Sequence, residues 1–238
     1  MKPLPYCCLF IATAASLPAA TIIDDFESGN FSGGSGWSGG WTTGGSGSFS
    51  NGASQINGVR SGALFGTSSL ARNFTAIATG TVTATWSLKG LPAFGNFNEL
   101  GLNIRGLKSD SATNVLTMKF TDLASTSVTL NDGGTDFNQG TLGYKANAIY
   151  DFSFTSTVGG NTYSWSVNER GTANTTSGNA FTYSGGSTLT NVSGLTFFWS
   201  ANSGGGNDGL IDQVSVIPEP SAAILGAIGS LILLRRRR

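Results

Sequence analysis

The stretch YDFSFTSTVGGNTYSWSVN, residues 150–168, decides the fold class of this chain. Apolar and polar residues alternate on both sides of its two glycines. The apolar positions are Tyr150, Phe152 and Phe154 before the glycines and Tyr163, Trp165 and Val167 after them. A two-residue period buries one face of a strand, and a short glycine-containing loop favours a tight turn. The stretch therefore predicts a β-hairpin with one buried and one exposed face.

The same period recurs along the chain, in residues 81–89, 100–105, 116–121, 195–200 and 211–216. No stretch between Thr21 and Ile217 carries the 3.6-residue apolar stripe of an amphipathic helix. Many short strands separated by glycine- and asparagine-rich turns predict one all-β domain over residues 21–216, an antiparallel β-sandwich or jelly roll. Residues 30–51 are rich in glycine and serine, and we expect loops there with a few anchored aromatic side chains.

Both ends of the chain differ in composition from this body. Residues 1–20 combine a basic start, an apolar stretch and terminal small residues, which predicts a secretory signal peptide cleaved after Ala20; an uncleaved anchor is the alternative. Residues 217–238 hold Pro218, Glu219 and Pro220, then the apolar segment 221–234, and then Arg235, Arg236, Arg237 and Arg238. This order predicts an extended, accessible hinge, one hydrophobic helix, and a basic stop that stays on the cytoplasmic side of a membrane.

The C-terminal layout resembles the sorting signal of PEP-CTERM proteins, and it covers only residues 217–238. The resemblance implies that Pro218, Glu219 and Pro220 form the motif recognised by an exosortase, a membrane-embedded peptidase. It also implies passage through the export machinery, a transient anchor in the inner membrane, and delivery to the cell surface or the extracellular matrix.

Charge and composition exclude several functions for the body. Of 13 basic and 13 acidic residues, five basic ones and one acidic one lie in the end segments, which leaves eight against twelve and a net charge of −4. A mildly acidic body argues against a nucleic-acid partner. The chain has no histidine, and its two cysteines, Cys7 and Cys8, lie within residues 1–20. The composition of the body therefore argues against histidine-dependent catalytic triads, zinc sites and disulfides.

The two ends of the body carry a second resemblance. Asp24-Asp25-Phe26-Glu27 and Ile211-Asp212-Gln213-Val214 are similar to the opening and closing strands of concanavalin-like and carbohydrate-binding-module jelly rolls, with Gln213 in place of the usual asparagine. The resemblance implies that the first and last strands are neighbours. It also implies a calcium ion near the termini, for which the candidate ligands are Asp24, Asp25, Glu27 and Asp212.

Other candidate residues have an ordinary structural explanation beside the functional one. Asn131, Asp132, Thr135 and Asp136 form a second acidic loop, which either holds calcium or caps its own turns. Trp37 and Trp41 either stack on a sugar or anchor their loop to the sandwich, and anchoring is the favoured interpretation. Glu99 and Glu169 are the remaining candidates for hydrolysis by paired carboxylates, and we interpret them as solvated loop charges.

These observations predict a non-enzymatic, exported surface or matrix protein whose β-sandwich has a structural or adhesive role. The alternative is a carbohydrate-binding module, with calcium as its candidate cofactor and extracellular polysaccharide as its candidate partner. A glycoside hydrolase comes third, because the chain lacks the clustered carboxylates of the concanavalin-like glucanases.

Overall fold

The computed structural model describes residues 21–51, 55–90, 97–121, 125–201 and 208–219. The predicted signal peptide, Pro220, the apolar segment 221–234 and the four terminal arginines lie outside these ranges. Among the residues described, no helix has both the length and the apolar content that crossing a bilayer requires.

The regular structure of the described residues consists of strands and one short 3-10 turn at Ser184–Gly186, so the all-β prediction is confirmed. The strands are β1 (Ile22–Asp24), β2 (Thr42–Asn51), β3 (Arg60–Ile77), β4 (Thr81–Gly90), β5 (Phe97–Lys108), β6 (Asn114–Phe120), β7 (Val128–Asn131), β8 (Phe137–Gln139), β9 (Ile149–Thr157), β10 (Thr162–Glu169), β11 (Thr175–Thr182), β12 (Leu189–Ala201) and β13 (Asp208–Glu219).

The described strands form one continuous antiparallel sheet of 13 strands, which folds into two layers. The seven-stranded layer has the order β2-β3-β12-β5-β6-β7-β8, and the six-stranded layer has the order β11-β10-β9-β4-β13-β1. The layers are joined where the first part of β3 pairs with the first part of β13, from Phe65↔Asp208 to Gly62↔Ile211. The hairpin predicted at residues 150–168 is confirmed as β9 and β10, with Phe152 opposite Val167.

An aromatic core fills the space between the two layers. Trp86 of β4 stacks on Phe152 of β9 with ring centroids 5.3 Å apart. From the other layer, the ring of Phe120 lies 4.8 Å from that of Tyr150. Aromatic side chains of this size bury about 150–250 Å² each and dominate the energetics of such a core. Because one face of each strand is committed to this core, the alternating polar residues point outward from both layers.

The first and last strands are neighbours, as the second resemblance implies. Strand β1 pairs antiparallel with β13, with Ile22 opposite Val216 and Asp24 opposite Val214. Strand β13 then continues through Glu219, and Pro218 is buried opposite Val82. The chain is extended here as expected, but Pro218 lies within the sheet and not in an accessible hinge. Because β1 pairs only as far as Val216, proline is tolerated on the open side of β13.

The prediction of loops across residues 30–51 is wrong in its second half. Residues Thr42–Asn51 form strand β2, which pairs with β3. The sequence hides this strand because glycine and serine occupy most of it, so it has little apolar alternation and is held by backbone hydrogen bonds. Gly45 sits at an irregularity of the pairing with φ of 80°, a conformation that favours glycine.

Candidate functional site

A groove of about 280 Å³ lies on the outer face of the seven-stranded layer. It runs across the middle of four adjacent strands, β12, β5, β6 and β7, whose register brings outward-facing residues into rows. One row passes through Phe198, Gly101 and Lys119. The residues that line the groove are Glu99, Asn103, Thr117, Lys119, Asn131, Asp136 and Phe198.

Gly101 lets strands β5 and β6 approach each other closely in the middle of this face. It pairs with Phe198 on one side and with Lys119 on the other. A Cβ atom at position 101 would lie 2.3 Å from the carbonyl oxygen of Met118 and 2.6 Å from Cβ of Lys119. Since real Cβ atoms do not approach neighbours this closely, the position requires glycine, and Phe198 and Lys119 flank it on the neighbouring strands.

Among the described residues that line the groove, Lys119 is the one cation, and two acids hold it in place. Its side chain is 9% exposed, and its Nζ lies 2.6 Å from Oε1 of Glu99 and 2.7 Å from Oδ2 of Asp136. The other oxygen of Asp136 accepts a hydrogen bond of 2.7 Å from Nδ2 of Asn131. In the next row, Oγ1 of Thr117 donates to Oδ1 of Asn103 at 2.6 Å. The polar groups of the groove are thus fixed by one another before any ligand arrives.

These contacts also set the charges of the groove. Burial alone would lower the pKa of Lys119, but its hydrogen bonds to Asp136 and Glu99 outweigh burial and raise that pKa. The hydrogen bond from Lys119, helped by that from Asn131, lowers the pKa of Asp136. Lys119 is therefore cationic and Asp136 anionic at neutral pH. Neither group stands ready to exchange a proton near pH 7.

Phe198 is the aromatic member of the groove. It is partly exposed, whereas its neighbours Phe197 and Trp199 are buried. In β12 the buried residues alternate with polar ones, and Phe198 occupies a position that the alternation reserves for a polar side chain. Strand prediction from apolar alternation passes over Phe198 for that reason. An aromatic residue out of phase with the core is the signal that identifies it.

The two glutamates interpreted as solvated loop charges both lie in strands and are both paired with a lysine. Glu99 lies in β5 and pairs with Lys119, as described above. Glu169 ends β10, is 6% exposed, and accepts hydrogen bonds from Nζ of Lys145 and from Nδ2 of Asn174. The two lie on different layers, so they do not form the pair of carboxylates that glycoside hydrolysis needs.

The four candidate calcium ligands near the termini do not form one site. Asp24 is buried, and its Oδ2 accepts hydrogen bonds from Arg72 at 2.5 Å and from Trp41 at 2.7 Å. Its Oδ1 accepts the backbone N–H of Phe26. Asp25 is exposed and caps its own turn through the N–H of Glu27. Among the described residues, no three acidic side chains are grouped so that they could hold a metal ion.

Glu27 and Asp212 are the two members of that set that lie close to each other. Glu27 accepts the N–H groups of Val59 and Arg60, and Asp212 accepts the N–H of Asn57 and the hydroxyl of Ser61. Both carboxylates therefore hold the same short segment of chain. Burial, with a further contribution from the charge of Glu27, raises the pKa of Asp212 to about 6. A cation bound here would have these two carboxylates as its acidic ligands.

The second acidic loop is held by protein contacts. Asp132 is 2% exposed and accepts hydrogen bonds from the hydroxyls of Tyr163 and Ser184. The buried ammonium of Lys108 donates to the carbonyl oxygen of Asp132. Asp136 is engaged by Lys119, as described above. Turn capping is seen at Asn131, whose Oδ1 accepts the backbone N–H of Gly133, whereas other side chains engage both aspartates.

The two candidate stacking tryptophans both anchor the N-terminal segment. Trp41 is 5% exposed, stacks on Phe26 with centroids 5.5 Å apart, and donates its indole N–H to Asp24. It presents no open face to a sugar. Trp37 is partly exposed, and the guanidinium carbon of Arg72 lies 4.8 Å from its ring centroid. Its indole N–H donates to the carbonyl oxygen of Ile23 at 3.0 Å.

This chain is similar to several solved structures in its fold. No family model matches it, and no curated protein has a matching sequence. Solved structures similar to it include the cellulose-induced protein Cip1, with a TM-score of 0.53 and 16% identity over 82% of this chain and 96% of that one. The lectin UEA-II complexed with galactose has a TM-score of 0.55 and 8% identity, over 86% of this chain and 100% of that one. The T. cruzi calreticulin globular domain has a TM-score of 0.51 and 8% identity, over 92% of this chain and 95% of that one. At these identities the similarity shows the fold alone, a lectin-like β-sandwich.

Proposed function

We propose that this protein is a non-catalytic carbohydrate-binding β-sandwich with an adhesive role, and that it binds glycans in the groove of the seven-stranded layer. The observation that carries the proposal is Phe198, a partly exposed aromatic ring beside a set of mutually fixed polar side chains. A sugar ring has an apolar C–H face and a rim of hydroxyl groups. The groove offers a matching surface to each.

The polar side of the groove suits a neutral glycan. Asn103, Thr117 and Asn131 supply amide and hydroxyl groups, which donate and accept hydrogen bonds. The positive charge of Lys119 is matched by two acids, which leaves the groove without a net attraction for anions. The lectin-like fold supports this proposal, since one of the similar structures is a lectin complexed with galactose.

Binding without hydrolysis is favoured by the state of the carboxylates. Glycosidases keep one carboxylic acid protonated at working pH by raising its pKa, and they place it across the bond from a second carboxylate. In this groove the pKa of Asp136 is lowered, and both acids are engaged by one lysine. Asp136 is therefore not a proton donor of the required kind, whereas the groove offers a glycan several hydrogen-bonding partners.

Affinity electrophoresis tests the proposal. The purified protein and its Phe198→Ala variant are run through gels that contain galactomannan, xyloglucan, hydroxyethyl cellulose or alginate. We expect one of the neutral polymers to retard the protein, and we expect Phe198→Ala to weaken binding about tenfold or more, as loss of a central aromatic contact does. Ile217→Ala is the matched control, because Ile217 is an exposed apolar residue of the other layer. Equal retardation of all three proteins would place the sugar elsewhere, and no retardation would refute the function.

Export and sorting belong to the same proposal. Residues 1–20 would direct secretion, and residues 217–238 would be recognised by an exosortase-type peptidase, which leaves the sandwich at the cell surface or in the matrix. Because β13 continues through Glu219, cleavage beyond that residue leaves the folded body intact. We expect mass spectrometry of the secreted protein to give a C-terminus at or after Glu219, and no processing in a strain that lacks the peptidase. An unprocessed, full-length product in both strains would refute the sorting step.

Calcium is proposed only in a reduced form, with Glu27 and Asp212 as its acidic ligands. A cation shared by these two carboxylates would stabilise the charged form of Asp212, which burial disfavours. Thermal unfolding in calcium and in chelator tests this step. We expect calcium to raise the midpoint in the wild type and to have no effect on Asp212→Asn. An unchanged midpoint in the wild type would leave calcium without a role here.

A further inference from the structure

A second polar groove lies on the outer face of the six-stranded layer. Its volume is about 470 Å³, and β4, β9, β10 and the irregular part of β13 form its floor. The register of these strands aligns two rows of polar residues across the sheet. The rows are Ser87, Asp151 and Asn168, and Thr85, Ser153 and Ser166. The two large aromatic residues beneath them, Trp86 and Phe152, are buried and belong to the core.

Arg170 organises one end of this groove. Its Nε and Nη2 donate to the two oxygens of Asp151 at 2.9 and 2.5 Å. Nη2 also donates to Oγ of Ser87 at 2.8 Å and to Oε1 of Gln213 at 2.6 Å. The Arg170 and Asp151 side chains are 32% and 36% exposed, so this fixed cluster remains open to a ligand. At the other end, the hydroxyls of Ser153 and Ser166 are 2.7 Å apart.

Gln213 reaches this cluster from an unusual backbone conformation. Its φ is 53°, which is uncommon for a residue with a side chain, and it lies where the pairing of β13 with β4 is interrupted between Asp212 and Ser215. The interruption places the exposed side-chain amide of Gln213 beside Arg170. The regular alternation of side chains along β13 does not continue through this position. Irregularities of this kind often re-aim a side chain next to a functional site.

We propose that this groove is a second glycan-binding site and that the protein is bivalent. The groove presents amides, hydroxyls, a carboxylate and a guanidinium whose positions are fixed by mutual hydrogen bonds, which suits the alternating donors and acceptors of neighbouring sugar hydroxyls. The charges of Arg170 and Asp151 cancel, so a neutral glycan is favoured over an anionic one. No aromatic face opens into the groove among its described lining residues, and this site therefore binds more weakly than the groove with Phe198.

The positions of the two grooves determine how many glycan chains a bivalent molecule holds. They lie on the outer faces of the two layers, with the aromatic core between them. Packed sheets are about 10 Å apart, and side chains and ligands add to that distance on both sides. One straight glycan chain cannot occupy both grooves of one molecule, so two occupied grooves hold two chains. The protein would thereby cross-link polysaccharide, which is what an adhesive matrix protein needs to do.

The inference rests on the proposed function, and the test separates the two. The wild type, Phe198→Ala, Asn168→Ala and the double variant are titrated calorimetrically with an oligosaccharide of whichever neutral polymer retards the protein. Asn168 is chosen because it lines the second groove without belonging to the Arg170 cluster, so its replacement spares the fold. Arg170→Met serves as a stronger second variant, with circular dichroism as the check that it folds.

We expect two oligosaccharides per wild-type molecule, one in each single variant, and none in the double variant at the same concentrations. Light scattering should show that the wild type cross-links the polymer and that the single variants do not, while the protein alone remains monomeric. A stoichiometry of one that Phe198→Ala abolishes and that Asn168→Ala and Arg170→Met leave unchanged would overturn bivalency and keep the proposed function. Absence of binding in the wild type would overturn both.

Discussion

Arg72 and Asp24 form a buried ion pair that ties the N-terminal segment to the sandwich. Nη1 of Arg72 lies 2.5 Å from Oδ2 of Asp24, and the two side chains are 3% and 2% exposed. The guanidinium also donates to the carbonyl oxygens of Gly33 and Gly39 and lies over the ring of Trp37. A segment rich in glycine and serine is thereby held by this cation, in addition to the packing of Trp37 and Trp41.

Arg72→Met should destabilise the protein strongly. Removal of one partner from a buried pair leaves an uncompensated charge and costs about 3–5 kcal/mol. We expect this loss in the free energy of unfolding, measured by urea denaturation. Arg170→Met is the matched control, because the side chains of the Arg170–Asp151 pair are 32% and 36% exposed, and exposed pairs contribute only about 0–1 kcal/mol. Equal losses in the two variants would contradict the role assigned to Arg72.

Trp41→Ala should reduce stability and not sugar affinity. Trp41 is buried against Phe26 and Phe197, and truncation of a buried tryptophan costs about 3–5 kcal/mol. Phe198→Ala removes a partly exposed ring, so its stability should be near that of the wild type. Thermal unfolding and gel retardation of both variants separate the two roles. Weakened binding in a fully folded Trp41→Ala protein would restore Trp41 as a candidate for stacking.

The sequence predicts those strands in which apolar and polar side chains alternate. The hairpin of β9 and β10 follows directly from aromatic residues at every second position. Strand β2 could not be predicted in this way, because backbone pairing with β3 holds it and glycine and serine carry no such pattern. Pro218 predicts an accessible hinge because proline fixes φ and keeps the residue before it out of a helix, yet the open side of β13 accommodates Pro218 within the sheet.

The candidate site was harder to predict, because it depends on register. Lys119 and Thr117 were recognised as the polar face of a strand, but nothing in one strand's sequence indicates that Gly101 and Phe198 lie beside them. The same holds for Asp24, which the sequence groups with its neighbours Asp25 and Glu27. Its actual partner, Arg72, comes from β3. Pairing across strands decides both sites, and a single sequence does not reveal it.

Asp212 should make the stability of the metal-free protein fall as pH rises towards neutrality. Its pKa is raised to about 6 in the folded protein, from 3.8 for an ordinary aspartate, so the folded state binds the proton more tightly than the unfolded state. The resulting penalty is absent below pH 4 and is fully present above about pH 6. In chelator, we expect the stability difference between the wild type and Asp212→Asn to change across this window in urea titrations. A difference that stays constant from pH 4 to 7 would contradict the raised pKa.

Gln213→Gly should be tolerated, whereas Ser215→Gly should not. Glycine in an ordinary strand position costs about 0.5–1 kcal/mol of conformational entropy, and Ser215 lies in regular pairing with Thr85. At position 213 the positive φ already disfavours a side chain, so glycine relieves strain that offsets this cost. We expect urea unfolding to show no loss for Gln213→Gly and a clear loss for Ser215→Gly. If both variants lose the same stability, the backbone of Gln213 is not strained. Its unusual conformation would then give no support to a binding role for the exposed amide.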